Sequence, residues 1–566
     1  MKIEKRQTIG SFCFVLHGHI PYVLRHGIWP HGVDWLYEAA AETYLPLLAV
    51  IDECRHLRCN PQLTIGLTPI LLEQLAHEDF KQGFRQYLAD RLNRAKADKA
   101  DFNRLGQLHL AYLAGQWELF FEKLARQFEQ IKCDIPKAFA KRMNRGLIQI
   151  LTSSATHAYL PLLLEDSCVR AQVRAGINSS QRILGFKPRG IWIPEGAYRP
   201  GGFWKSPIPW STKDNRISIS QAVADENLTH FFVEQHLIRN AQSRPRKTAS
   251  GDCRYFAHRN GDSFCEPVVV DVTGNDAWPP AAFGRDAEIC KQVWCGFVGY
   301  PADGVYLEFH KKQGERRGLR YWKVTDARLG LDDKKLYYPD DVPGKIYEHA
   351  QHFCRQVKNR LADYHQRTGR QGIVVACFDA ELFGHWWFEG PRFLRDALLT
   401  LNADPEVQLC TTEAYLDKHP PDELVSLSEG SWGEGGDHRV WTNDKIHWMW
   451  QIEYRCETLF GRLTYNLPWR KNIALRQILE KAARELLLLQ ASDWPFAITR
   501  GQAADYAISR FMAHVTRFEC LTDTAEALAG DTEYLNKLNE VQKFELKDAE
   551  IHDVVFPHID LNWWNM

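Results

Sequence analysis

The sequence predicts an α/β protein: a barrel of βα units over residues 1–410, carrying a helical insertion, then a helical domain over 411–566. Three observations carry this. Short apolar runs recur through the first part of the chain, each followed by polar residues and then a helical pattern, as buried parallel strands require. Chemically reactive side chains fall where these runs stop, which is where the active groups of a βα barrel sit. Beyond about residue 410 the pattern turns helical.

Taken in order, SFCFVL runs into His17, and LTIGL runs into Thr68. Residues 76–142 are charged and helical in pattern, which marks the insertion. LIQILT leads to Ser153 and His157, GIWI to Pro194 and Glu195, and THFFVEQH to a polar stretch. Residues 237–288, rich in Gly, Arg, Asp, Ser and Pro, are expected to form one long mobile loop. GIVVACF then stops at Asp379. In the last part, KNIALRQILEKAARELLLLQ places Ile478, Leu479, Ala482, Ala483, Leu486 and Leu487 on one helical face.

A chain of 566 residues is too long for one ordinary core. Its 70 basic and 71 acidic residues give a net charge of −1, so nothing draws it to nucleic acid or anionic lipid, and a neutral substrate suits it. The N-terminus has neither signal-peptide nor membrane-span character. The 14 cysteines are scattered without a CxxC pair, as expected of reduced thiols in a cytoplasmic protein. The 19 tryptophans are many for a core of this size, and flat indole faces stack on sugar rings.

His17 and His19 lie two apart and point the same way from an extended strand end. They suit three roles: metal ligation with His157 as third ligand, hydrogen bonding to sugar hydroxyls, or plain core packing. The sugar reading ranks above the metal. Glu195, in GIWIPEGAYRPGG, and Asp379, in CFDAELFGHWWFEG, end different strand-like runs. Two such acids at one barrel mouth are what glycosidic chemistry uses, one as nucleophile and one as proton donor. Glu381 is either the working acid or a partner that raises the pKa of Asp379. Trp432 and Trp441, in the glycine-rich SWGEGGDHRVW, are expected to be accessible sugar platforms. For Trp386 and Trp387 a cleft wall is expected, with barrel packing as the alternative.

At these residues the chain resembles glycoside hydrolase family 57, and within it the α-1,4-glucan branching group. HGHIPYV, THAYLPLL, WIPEGAYRP, GYPADGVYLEF, FDAELFGHWWFEG, SWGEGGDHRVW and SDWPFAITRGQAADYAISR carry the resemblance. It implies a distorted (β/α)7 barrel and a C-terminal helical domain that completes the cleft. By motif position, Glu195 falls on the nucleophile and Asp379 on the general acid/base. His17, His19, His157, Trp29, Trp35, Trp294, Trp432 and Trp441 fall on substrate positions, and Tyr255 on a cleft-loop tyrosine. Gly196 and Ala380 stand where the family commonly has Cys and Thr. The implied activity transfers α-1,4-glucan chains to a 6-hydroxyl by a retaining double displacement, with no metal or other cofactor, in a monomer or small homo-oligomer. The rivals are a family 57 amylase or 4-α-glucanotransferase, a metal-dependent deacetylase, and a non-catalytic glucan-binding protein.

Overall fold

The computed structural model describes residues 8–208, 212–244, 246–247, 253–254, 263–272, 278–314, 317–531, 533–552 and 554–565, so Tyr255 lies outside the described residues. Seven strands follow one another in chain order around a closed sheet. They are β1 (Gly10–Gly18), β2 (Leu63–Leu67), β3 (Ile148–Ser153), β4 (Ile191–Trp192), β5 (His230–Glu234), β6 (Ala281–Arg285) and β7 (Gly372–Asp379). β1 pairs in parallel with β2 and β7, β2 with β3, and β3 with β4. β5 pairs with β6 and β6 with β7, also in parallel. A parallel bridge from Gly190 to His230 joins the β4 edge to β5 and closes the ring. This is a distorted (β/α)7 barrel.

Six of these strands coincide with the apolar runs of the sequence. β6 does not, and it corrects the expectation of a single loop over 237–288: Ala281–Arg285 is a barrel strand, and Val268–Val270 pairs antiparallel with it. AAFGR is hard to read because small residues suffice where large neighbours already fill the space. The sheet also continues past β7. Val407–Leu409 adds to β1, and Leu424–Ser426 pairs with Val268–Val270.

Strand alternation sorts the core into two layers. Cys13 and Val15 of β1, Leu151 of β3, Trp192, Phe232, Phe283, and Ile373, Val375 and Cys377 of β7 cluster together as the barrel interior. Phe12, Phe14, Leu16, Val374, Ala376 and Phe378 join the larger cluster under the helices. Carried to the C-terminal strand ends, the same alternation turns His17, Ser153, Glu234, Arg285 and Asp379 toward the barrel axis. Apolar filling therefore gives way to polar groups at the mouth.

Between β2 and β3, α2 (Glu78–Arg104) and α3 (Leu108–Gln130) run antiparallel, tied by Arg85–Glu129 and Lys99–Glu118 ion pairs; α1 (Leu45–His56) precedes β2. α4 (Asp166–Leu184) links β3 to β4, and α5 (Ala287–Trp294) and α6 (Val342–Thr368) follow β6. The C-terminal helices include α7 (His447–Asn466), α8 (Ile473–Leu489), α9 (Asp493–Arg500) and α10 (Ala504–Gly530). On α8, Ile478, Leu479, Ala482, Ala483, Leu486 and Leu487 are all buried. The Asn472 side chain caps that helix by accepting the Leu475 N–H at 3.1 Å. Among the described residues no helix is long and apolar enough to cross a membrane.

Candidate active site

Register brings the first two groups together: His17 on β1 lies directly opposite Asp379 on β7. Glu195 arrives from β4 through a tight turn, Pro194–Gly196, in which its own backbone is left-handed (φ 60°, ψ 18°). His157, after β3, is left-handed too, with φ 60°. Such conformations cost a non-glycine residue about 1–3 kcal/mol and persist where the surroundings hold them. Here later segments do the holding. The Trp432 N–H donates to the Glu195 carbonyl at 3.0 Å, and the Ser492 N–H to the His157 carbonyl at 3.2 Å.

The Trp432 indole N–H also donates to Glu195 Oε2 at 2.6 Å. Its ring lies 5.0 Å from Trp192 and 5.9 Å from Trp294, and the Arg285 guanidinium sits over it at 5.5 Å. Arg285 is paired with Glu234 at 2.5 Å, and Trp294 Nε1–H donates to the Cys377 carbonyl at 3.3 Å. Trp294 and Trp432 therefore stand beside the two acids.

The three histidines form one stack, with rings 4.1 Å apart for His19–His157 and 4.9 Å for His17–His157. Nε2 of His17 and Nε2 of His157 share a hydrogen bond of 3.0 Å, and His157 Nδ1 meets the Ser492 hydroxyl at 2.9 Å. His19 points elsewhere: Nδ1 to the Thr68 hydroxyl at 3.1 Å, and Nε2–H to the Asp493 carboxylate at 2.9 Å. Their nitrogens do not converge on one point, so the trio is not arranged as a metal ligand set. Gly66 lets His17 lie close over β2, since a Cβ there would come within 3.1 Å of its Nδ1.

Burial dominates the electrostatics. It pushes Glu195 up to about 8, with the Asp379 charge adding to the shift, and pushes Asp379 up to about 7. Burial also lowers His17 and His157 well below the usual histidine range. For His19 burial acts downward, but the charges of Asp493, Glu381 and Glu195 outweigh it and raise the imidazole. The mouth thus holds two hard-to-ionise acids beside one imidazole that favours its cationic form.

Other expected positions lie further out or deeper in. Trp29 is 51 % exposed, and Trp35 packs with His31 at 5.1 Å and Tyr506 at 5.8 Å, on the rim. Trp441 corrects the expectation of an accessible platform: it is 2 % exposed and stacks on Tyr159 at 4.5 Å. The glycines of its loop admit the ring instead of exposing it, because a Cβ on Gly433 would meet the Trp441 ring at 2.6 Å. Trp387 is barrel packing, 1 % exposed against Phe393 and Tyr306, while Trp386 is 41 % exposed. Glu389 is structural, accepting from the Tyr337 hydroxyl at 2.7 Å and the Leu307 N–H at 3.1 Å.

Sequence reasoning singled out neither Asp493 and Ser492, nor Tyr44 and Arg285. The first two lie in SDWPF, a motif in plain view, but only the fold shows that it reaches the barrel mouth.

Residues 13–261 match the family description Glycosyl hydrolase family 57, and residues 454–564 match 1,4-alpha-glucan branching enzyme, C-terminal. A protein of Thermococcus kodakarensis named as a 1,4-alpha-glucan branching enzyme is 35% identical over 562 residues, 98% of this chain and 79% of that protein. The chain belongs to glycoside hydrolase family 57. Among solved family structures, a GH57-type branching enzyme from Pyrococcus horikoshii superposes with a TM-score of 0.86 at 35% identity, covering 99% of this chain and 97% of the other. The alpha-amylase AmyC of Thermotoga maritima superposes with a TM-score of 0.80 at 27% identity, covering 98% and 99%. One architecture thus carries both names.

Proposed function

We propose that this family 57 chain is an α-1,4-glucan branching enzyme acting in glycogen biosynthesis in the cytoplasm. Glu195 is its nucleophile and Asp379 its general acid/base. One observation carries the assignment of the pair: Glu195 is held at the barrel mouth on a left-handed backbone with one carboxylate oxygen bound by Trp432 Nε1–H, on the same rim as Asp379. A donor on that oxygen favours the ionised form a nucleophile needs. The branching activity itself is supported by the relatives' names and by the match over 454–564.

In the first step Glu195 attacks the anomeric carbon of an α-1,4 linkage, while Asp379 gives its proton to the departing glycosidic oxygen. A covalent glycosyl-enzyme remains. Asp379, now ionised, takes the proton of an acceptor 6-hydroxyl, whose oxygen attacks the anomeric carbon and releases Glu195 as an α-1,6 branch forms. Trp294 and Trp432 supply flat faces beside the pair, and His19 places positive charge near the developing negative charge.

Incubating the protein with amylose, debranching the product and sizing the released chains tests the reading. New α-1,6 linkages and short debranched chains are expected. Shortened amylose with no new branch points would place the chain with the amylases, the reading that similarity to AmyC favours. Glu195→Gln is expected to abolish branching and Asp379→Asn to slow it about 10²–10⁴-fold; substantial branching by both would sink the assignment of the pair.

A further inference from the structure

Glu381 takes no part in either step above and is spent on its surroundings: its Oε1 accepts the His19 backbone N–H at 3.0 Å and the Tyr44 hydroxyl. The feature left without a role lies on the rim. α5 ends at Trp294, beside the two acids, and the next turn exposes two large apolar side chains in a row, Phe297 by 77 % and Val298 by 80 %. The Gly299 N–H bonds back to the Cys295 carbonyl at 2.8 Å, so both stand on a tight turn. Three residues of chain span no more than about 11 Å, which keeps the Phe297 backbone within that distance of Trp294.

Phe297 and Val298 line a groove of about 440 Å³ together with the turn 325–328. That turn is held in a costly shape. Thr325, a β-branched residue, is left-handed, with φ 61°. Its N–H donates to the Gly304 carbonyl at 2.9 Å, and its hydroxyl accepts the Lys335 N–H at 2.9 Å. Gly304 permits the approach, since a Cβ there would come within 2.4 Å of the Thr325 carbonyl oxygen. The buried Lys334 ammonium donates to the carbonyls of Val324 and Asp326 at 2.8 Å each. Residues in such sparse backbone conformations gather at binding sites, as Glu195 and His157 do at the mouth. Charge in the groove is paired off: Arg328 donates to the Asp326 carboxylate at 2.6 and 3.0 Å. The segment between the two linings docks on α6, where the Tyr300 and Tyr306 hydroxyls bond His352 Nδ1 at 2.7 Å and His349 Nδ1 at 2.8 Å. Both histidines lie in the first half of α6, away from the entry to β7 and so on the mouth side of the barrel.

We propose that this groove is an outer glucan-binding site, which takes an α-1,4-glucan chain where it leaves the cleft past Trp294. The Phe297 ring and Val298 give an apolar face for a sugar ring, the Asp326–Arg328 pair gives hydrogen bonds for hydroxyls, and paired charges suit a neutral polymer. A site of this kind makes the enzyme favour long chains over short ones. The proposal rests on the reading of the barrel mouth as a glucan site.

The test is steady-state cleavage of amylose, and of maltooligosaccharides of decreasing length, by the wild type, Phe297→Ser and Arg328→Ala. Losing a contact that holds ground state and transition state equally raises KM and spares kcat. Phe297→Ser is expected to raise KM for amylose about two- to tenfold. The penalty should shrink as the substrate shortens and no longer reaches the groove. The Arg328 side chain is largely exposed, so cutting it back leaves the core untouched, and Arg328→Ala is expected to act the same way by less. An unchanged KM for amylose in Phe297→Ser, or a loss equal at every chain length, overturns the proposal. Should that variant fail to fold, Arg328→Ala decides alone by the same criteria. Because cleavage is the readout, a wild type that cleaves without branching would overturn the branching reading and still leave this proposal to be judged on the length dependence.

Discussion

Histidines are gathered at two places in this molecule, the barrel mouth and the C-terminal helices, and the same parts end in different states. At the mouth, His19 donates to Asp493 from α9, while His17 and His157 share one hydrogen bond beneath the cleft. In the helices, Glu485 of α8 accepts from His514 Nδ1–H at 2.8 Å and from His552 Nδ1–H. Arg510 donates to His514 Nε2 at 3.2 Å, and His26, in the loop after β1, meets His552 Nε2 at 2.8 Å. Arg510 can only donate, so His514 Nε2 must be the lone pair and Nδ1 must carry the hydrogen given to Glu485. The same reasoning makes His26 the donor to His552. Glu485, His514 and His552 place three metal-type donor atoms within 4.8 Å of one another. Their protons are nevertheless all spoken for, and Arg510 sits where a metal-bound His514 would need an acceptor. A closed cluster satisfies its imidazole protons internally and fastens helices to a loop. The mouth cluster leaves its acids raised and faces the cleft. What separates structure from chemistry here is unfinished business, not residue type.

The comparison breaks most visibly at its carboxylates. Glu485→Ala strands two buried imidazoles, so unfolding free energy should fall by about 3–5 kcal/mol, read by chemical denaturation, with activity per folded molecule kept. Asp493→Ala should do the reverse: a loss of about 10²-fold in kcat/KM as His19 loses its orientation, with little change in melting. Acid titration sharpens the contrast. Burial and neighbouring arginines hold His552 down to about 2, and burial holds His514 down to about 3, so both stay neutral while the unfolded chain takes up protons near the ordinary histidine value of about 6.5. Stability from these two is therefore full above about pH 6.5 and drains as pH falls toward 3. Denaturation midpoints measured from pH 7 to 4 should slope down in the wild type and less steeply in His552→Gln. Activity at the mouth should instead be bell-shaped, highest around pH 7–8, where the pair holds a single proton. The smallest effect is expected on the rim: Trp29→Ala should leave stability within about 0.5 kcal/mol and raise KM for long glucans by less than about tenfold.

The strands were legible because a buried parallel strand must be apolar on both faces, so SFCFVL and GIVVACF could hardly be anything else. β6 was not, since AAFGR relies on its neighbours for bulk. Glu195 and Asp379 stood out as acids placed where apolar runs stop. The groups that hold the mouth histidines did not, because Ser492 and Asp493 reach His157 and His19 only after more than 300 residues of intervening chain have folded around the barrel. Trp441 misled for a related reason: glycines beside an indole read as freedom for the ring, whereas their purpose is to let it in.

The two left-handed residues of the mouth have a consequence for dissection of the protein. Glu195 and His157 are each fastened through their carbonyls to backbone N–H groups beyond residue 410, those of Trp432 and Ser492. Cutting the chain at the boundary the sequence suggests would leave a barrel free to relax Glu195 and His157 out of position. Such a fragment could keep all seven strands and both acids and still be inert. This enzyme is therefore not a catalytic module with an accessory attached: its unit of engineering is the barrel together with the later segments that fasten Glu195 and His157.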